Sequence, residues 1–354
     1  MSNSMHNTHT EYLNLADYRL GTRVLDASDD FFAEMENLVN LSDPVFIDDK
    51  FTQRGKWMDG WETRRRRNGG HDWCILKLGV NGTINKINAD TTHFQGNAPK
   101  EISLEVAATD TMPTESDWEE ILPRSQVKAH SHNLFDINSS KNSSKNGNKN
   151  GNKSWKFLRL HIYPDGGVAR LKIYGEGQPN WNNFADGELI DLAAAENGGC
   201  SVGCSDMFFS PKDNLIMPGR GVNMGDGWET KRRRGHETDG GYDWNIVKLA
   251  TKGSVKKVII DTAHFKGNYP DKFSLEGCLY EGKERIPGNG KGENNSKNDC
   301  KWQELITTTP LTADSRHIFV KQIADIESIF SHVRLNIYPD GGVSRMNVYG
   351  VPQL

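Results

Sequence analysis

No stretch of the 354-residue sequence approaches the ~18 consecutive apolar residues of a membrane-spanning helix, so no membrane partner is expected. The opening residues MSNSMHNTHTEYLNL lack the apolar run of a signal peptide, which points to a soluble, cytoplasmic protein. Cysteine is sparse. The five residues Cys74, Cys200, Cys204, Cys278 and Cys300 form an odd set without the paired spacings of a zinc site or a disulfide framework. Reduced thiols are therefore expected. Cys200 and Cys204, with no Cys or His close in sequence, make a poor metal site by themselves. Positive charge is not in excess either: 43 Lys and Arg face 47 Asp and Glu, for a net charge of -4. That balance opposes a general attraction to phosphate, and no nucleic-acid partner is expected.

What the chain does have is a long internal repeat. SDDFF (Ser28 to Phe32) returns as SDMFF (Ser205 to Phe209), at an offset of 177. DGWETRRRR from Asp59 returns as DGWETKRRR from Asp226 (offset 167), and DTTHFQGN from Asp90 as DTAHFKGN from Asp261 (offset 171). Trp118 and Trp302 follow at 184, then RLHIYPDGGVARLKIYG from Arg159 and RLNIYPDGGVSRMNVYG from Arg334 at 175. Solenoid repeats have periods of ~20 to 50 residues, so each unit here is a whole domain and the chain is a tandem duplication. Length agrees, because single cores stop growing near ~250 to 300 residues. The expected plan is a tail over 1–19, a first repeat over 20–178 and a second over 188–354, with the junction between Glu176 and Gly187. Of two inserts that fall in different loops, 139–154 in the first copy is polar, shows no apolar pattern and is expected to be a disordered surface loop, and 288–299 in the second is a polar insert.

Period-two patterns between turn signals dominate both halves. WCILKLG, TINKINAD, WNIVKLA and VKKVIIDT read as strands, and the apolar residues flanking PDGG read as a β-hairpin. Helical signals are confined to short stretches such as Ser28 to Leu38. The expected fold class is all-β, a tandem duplication of two jelly-roll-like β-sandwich domains. Gly166, Gly167, Gly341 and Gly342 are read as conformational requirements of the turn. Trp61, Trp73, Trp228 and Trp244 are read as packing or loop anchors in preference to a sugar-stacking platform.

At DGWETRRRR, DTTHFQGN and the twice-occurring RL-x-IYPDGGV-x-R-x-x-x-YG, the chain closely resembles the allantoicase family. The resemblance runs from about Leu20 to Gly350 and excludes only the tail and the two polar inserts. It implies two jelly-roll domains and hydrolysis of allantoate to ureidoglycolate and urea in purine (allantoin) nitrogen catabolism.

Allantoate is an acetate whose α-carbon carries two ureido groups, one of which hydroxyl must replace. The bond lost joins carbon to nitrogen, so no acyl nucleophile is needed. An acid protonates the departing urea, an imine-like species forms, and water adds with help from a base. Glu62, His93, Glu229 and His264 are the acid/base candidates, since each stands at the same place in both copies. A hydrogen-bonded structural histidine is the competing assignment for His93 and His264. The carboxylate calls for a planar bidentate donor, which nominates Arg65, Arg66 and Arg67 with Arg232, Arg233 and Arg234 for substrate binding. In an extended segment alternate side chains point to opposite faces, so at most two arginines per copy enter one pocket and the rest are solvated or pair with carboxylates. Arg170 and Arg345 are read as braces, with Asp165 and Asp340 offering carboxylates. His71 is matched by Tyr242, so a role shared by the two halves is not expected of it. No cofactor is expected, while a divalent metal, a homo-oligomer and the number of working sites are left open. The competing function is a non-catalytic tandem jelly-roll module binding a carboxylated or carbohydrate ligand.

Overall fold

The computed structural model describes residues 12–137, 153–234, 241–280, 282 and 300–354. Apart from Lys153 and Ser154, both polar inserts lie outside the described residues. Two compact units divide between Pro179 and Asn180.

The strands of the first unit are β1 (Leu13–Asn14), β2 (Arg23–Ala27), β3 (Phe51–Thr52), β4 (Gly55–Lys56), β5 (Trp61–Glu62) and β6 (Asp72–Asp90). They continue as β7 (Glu101–Ala107), β8 (Glu119–Gln126), β9 (His132–Asp136), β10 (Trp155–Tyr163), β11 (Gly167–Val168) and β12 (Arg170–Gly177). The second unit holds β13 (Ile190–Asp191), β14 (Cys200–Cys204), β15 (Trp228–Glu229), β16 (Asp243–Asp261) and β17 (Lys272–Cys278). It ends with β18 (Gln303–Pro310), β19 (Arg316–Phe319), β20 (Ile329–Tyr338), β21 (Gly342–Val343) and β22 (Arg345–Pro352). Helical structure among the described residues is limited to 3₁₀ turns, the longest being Met35–Val39 and Lys212–Ile216.

Each unit is organised by one 19-residue strand. In β6, Cys74, Leu76, Leu78 and Val80 alternate inward as period two requires. Residues 74–77 pair with β2 on one side and β10 on the other, whereas Lys86–Asp90 pair with β9 and β12. β10 continues to β7 and β7 to β8, so β6 passes from one layer of a sandwich into the other. β16 repeats this with β14 and β20 near its start, then β19 and β22 near its end. Leu76, Leu104, Leu160, Ile87, Leu171 and Ile173 fill the first core, each at most 1% exposed. The architecture is the all-β, duplicated sandwich of jelly-roll type expected from the strand pattern.

Three local expectations are corrected. WCILKLG and TINKINAD are parts of one strand. The glycines between them mark close approach of another backbone, since a Cβ on Gly79 would lie 2.0 Å from the Leu20 carbonyl oxygen. The strands flanking PDGG do not form a hairpin: β10 and β12 lie on opposite sides of β6, and β11 between them pairs with β5. Local alternation finds strands and turns but not partners, and here the turn carries the chain between layers. Gly166 and Gly341 do adopt φ of 132° and 136°, as the turn reading requires. Finally, Cys278 and Cys300 form a disulfide. They stand beside the paired strands β17 and β18, which bring their Cα atoms to 6.2 Å across a sequence separation of 22. Cys74, Cys200 and Cys204 take part in no disulfide among the described residues, and burial pushes the Cys204 thiol up to about 12.

Candidate active site

The Arg loop is clamped at its start. Trp61 is fully buried and its indole N–H donates to the Asp29 carbonyl at 2.8 Å; Trp228 does the same to Asp206 at 2.9 Å. These two tryptophans are therefore loop anchors. Beyond them the arginines alternate. The Arg64 backbone N–H and Nε donate to Asp29 at 2.5 and 3.0 Å. Arg66 donates its backbone N–H to Asp165 at 2.7 Å and forks onto Asp72 with Nε at 2.8 Å and a terminal nitrogen at 2.7 Å. Hydrogen bonding to Asp72 raises the Arg66 guanidinium further above its ordinary value. Arg65 and Arg67 are exposed and make no ion pair or hydrogen bond with a described residue. The second copy follows suit: the Lys231 N–H reaches Asp206, Arg233 is held by Asp340 and Asp243, and Arg232 and Arg234 are exposed without such bonds among the described residues.

Arg170 and Arg345 are braces, as expected, but with different partners. Each is almost fully buried and meets the aspartate that precedes the Arg loop, Arg170 on Asp59 and Arg345 on Asp226, both at 2.9 Å. Asp165 and Asp340 instead accept the loop N–H groups of Arg66 and Arg233.

Glu62 and Glu229 sit on the short ladders of β5 with β11 and β15 with β21. Each accepts a hydrogen bond from an asparagine that closes the DT-x-HF-x-GN motif: Asn97 at 2.7 Å and Asn268 at 2.6 Å. Burial raises the Glu62 carboxyl above its ordinary value, and the Asn97 hydrogen bond opposes that rise. His93 and His264 both adopt φ of 71°, a left-handed conformation uncommon outside glycine but one that histidine adopts more readily than most residues. It is held by backbone N–H bonds to His130 Nδ1 at 2.8 Å and to the Asp314 carboxylate at 2.7 Å. Their Nε2 atoms lie 3.0 Å from the Pro44 carbonyl and 2.8 Å from that of Gly221. A carbonyl only accepts, so Nε2 carries the hydrogen and Nδ1 is the basic nitrogen of each neutral ring. Asp90, three residues ahead of His93, spends one oxygen on Thr92 and does not bond the His93 ring.

In the second unit a cavity of about 480 Å³ opens beside this cluster, lined by Asn223, Met224, His264, Lys266, Gly267 and Asn268. None of the nominated arginines lines it. The first unit differs there because Asn37 and Asp59 are separated by ten more residues than Asn214 and Asp226. The extra length carries the β3–β4 ladder and Phe46, whose ring lies 5.7 Å from that of His93. The fall in repeat offset from 177 to 167 marks this insertion in the sequence. Asn97, Asn268 and Lys266 were not singled out as site residues, although both asparagines occupy the same repeated position. Among the described residues no group of three or more His, Cys, Asp or Glu is placed to hold a metal ion.

The family model described as Allantoicase repeat matches residues 13–178 and again 190–353. The chain belongs to the allantoicase family. It is 43% identical over 341 residues to a protein of Burkholderia pseudomallei named probable allantoicase 2, covering 96% of this chain and 94% of that one. A probable allantoicase of Pseudomonas syringae pv. syringae is 44% identical over 342 residues, covering 96% of both. The crystal structure of allantoicase from Saccharomyces cerevisiae superposes with a TM-score of 0.76 at 32% identity, covering 99% of this chain and 98% of that one. Allantoicase membership thus spans both units.

Proposed function

We propose that the protein hydrolyses allantoate to ureidoglycolate and urea, with an acid/base set in each unit. The observation that carries this reading is the second-unit cavity, which brings His264, Lys266 and Asn268 to one lining with Glu229 held behind Asn268. Its contents match the demands of the reaction. Lys266 supplies a cation for the substrate carboxylate. The Asn268 amide orients Glu229, and His264 offers Nδ1 as a proton acceptor. Glu62, whose burial favours the protonated form, is suited to give a proton to the departing urea nitrogen in the first unit. Arg66 and Arg233 hold the loop through Asp72 and Asp243, while the exposed Arg65, Arg67, Arg232 and Arg234 remain as loop cations outside the lining of the second-unit cavity. In each turnover the carbon–nitrogen bond to one ureido group breaks and water supplies the hydroxyl. No acyl-enzyme is involved.

The test is urea release from allantoate by the purified full-length chain, measured with and without added divalent metal. Stoichiometric urea and ureidoglycolate are expected. Absence of both under either condition removes the hydrolase reading and returns the binding-module alternative.

A further inference from the structure

Outside the glutamate–asparagine–histidine cluster, the first unit contains a second line of titratable groups. Glu105 on β7 and His161 on β10 stand on adjacent strands, and His71 immediately precedes β6, which pairs with β10 on its other side. Glu105 Oε2 lies 2.7 Å from His161 Nε2, and His161 Nδ1 lies 2.9 Å from His71 Nε2. Arg159 Nε also donates to Glu105 at 2.7 Å and its terminal nitrogen reaches Glu115 at 2.8 Å.

The chain of bonds accommodates one proton arrangement that leaves a basic nitrogen at its end. Burial pushes the Glu105 carboxyl up, but hydrogen bonds from Arg159 and His161 outweigh it and hold the group below its ordinary value. Glu105 is therefore an ionised acceptor, and His161 must donate from Nε2. A neutral His161 then presents a bare Nδ1, which accepts from His71 Nε2–H. That leaves His71 Nδ1 as the basic nitrogen, and no described residue hydrogen bonds to it. Around the ring stand Tyr163 at 4.6 Å between centroids, Arg66 and Asp72 from the loop, and Arg124 stacked 4.3 Å over Tyr163. Burial first, then the charges of Arg66 and of His161 when it is protonated, lower the His71 pKa and favour the neutral ring.

The second unit supplies the comparison. Arg334 and Glu276 keep the positions and the 2.7 Å contact of Arg159 and Glu105, but Asn336 replaces His161 and Tyr242 replaces His71. Asn336 donates to Glu276 at 2.8 Å, which meets the structural need of the carboxylate without any group that titrates near neutrality. The two imidazoles of the first unit thus add a capacity that bracing does not require. At His93 the first unit places the Phe46 ring, 5.7 Å away between centroids, on the connection that the second unit lacks.

We propose that Glu105–His161–His71 is a proton relay that makes His71 Nδ1 the general base of the first unit, acting on the water that attacks the ureido-bearing carbon. This rests on the allantoate reading above. As the water oxygen bonds to carbon, its proton passes to His71 Nδ1, and the Nε2 proton of His71 moves to His161 Nδ1. The positive charge comes to rest on His161 against the Glu105 carboxylate. Glu62 has meanwhile given its proton to the departing urea, so one proton lost and one gained return to the start through solvent. His71 is the catalytic residue in this scheme; His161 and Glu105 position and charge-compensate it.

The test uses full-length protein in which Glu229→Gln and His264→Asn silence the second unit. About half of the wild-type urea release is expected to remain, since two independent sites share the total. In that background His161→Asn, which copies the bonded asparagine of the second unit and preserves the fold, is expected to lower kcat about 10²-fold with little change in KM. It is also expected to move the acidic limb of the pH profile, which in its absence lies below pH 6.5 because a lowered His71 pKa keeps the base form to lower pH. His71→Ala is expected to be rescued in part by added imidazole, a response that a bracing role does not give. If the silenced protein retains no activity, or if His161→Asn leaves rate and pH profile unchanged, the relay is overturned while the hydrolase stands. A wild-type chain that releases no urea overturns the hydrolase reading and the relay with it.

Discussion

Arg170 and Asp59 form a pair that water hardly reaches, with Arg170 only 1% exposed. Removing one member leaves the other charge buried without its partner, which costs about 3–5 kcal/mol, whereas replacing both with apolar residues is often close to neutral. Arg170→Met is accordingly expected to destabilise the first unit on that scale, and Arg170→Met with Asp59→Leu to recover most of the loss, as read from urea unfolding midpoints. The sequence showed Arg170 as a brace through its place after the turn. It did not show the partner, which lies 111 residues away and reaches it only through tertiary structure. His332 offers a second test at this scale. Burial first, and then Lys248, push its pKa down from 6.5 to about 4. The folded state holds a proton there more weakly than the unfolded chain, so the contribution to stability is complete above pH 6.5 and is lost as pH falls towards 4. The full loss is about 3 kcal/mol. Unfolding curves of wild type and His332→Gln between about pH 7.5 and 4.5 are expected to diverge by that amount at the alkaline end relative to the acidic one.

Elements were legible where a pattern was local and hidden where it depended on a partner. Alternation identified the strands before and after PDGG, and the offset arithmetic located domain-sized repeats. Nothing in the alternation revealed that Gly167 and Gly342 lie face to face with a ring. A Cβ on Gly167 would stand 2.0 Å from Phe94, and one on Gly342 would stand 1.9 Å from Phe265. Those phenylalanines belong to the DT-x-HF-x-GN motif, so the turn glycines and the site loop are fitted to each other. Gly342→Ala is expected to destabilise the second unit by about 1–3 kcal/mol through overpacking. It is also expected to disturb the Asn268 to Glu229 hydrogen bond more than Gly267→Ala, because nothing lies within 4 Å of a Cβ at Gly267. Comparing melting temperatures and urea release for the two variants checks both parts. The candidate site was half legible for the same reason: Glu62, Glu229, His93 and His264 stand out by repetition, whereas the alternation of bound and unbound arginines had to wait for Asp72 and Asp243 to be placed.

At the scale of the molecule, one frame has been written twice and then edited differently. Both copies keep the arginine–aspartate braces, the anchored tryptophans and the glutamate–asparagine pair. They differ in the connection beside the motif histidine and in the residues that bridge to Glu105 or Glu276. A match position by position therefore undervalues a residue such as His71, whose meaning lies in its departure from the other copy. The long strands impose a further condition on this editing. Since β6 and β16 each belong to both layers of their own sandwich, the two layers of a unit are joined through one continuous strand. The site loops at the strand ends can fluctuate, but a breathing motion that reaches the middle of β6 or β16 breaks both layers together. Cooperative unfolding is thereby tied to a single strand in each copy, and the two copies differ in the loops around that strand while both keep its 19 residues.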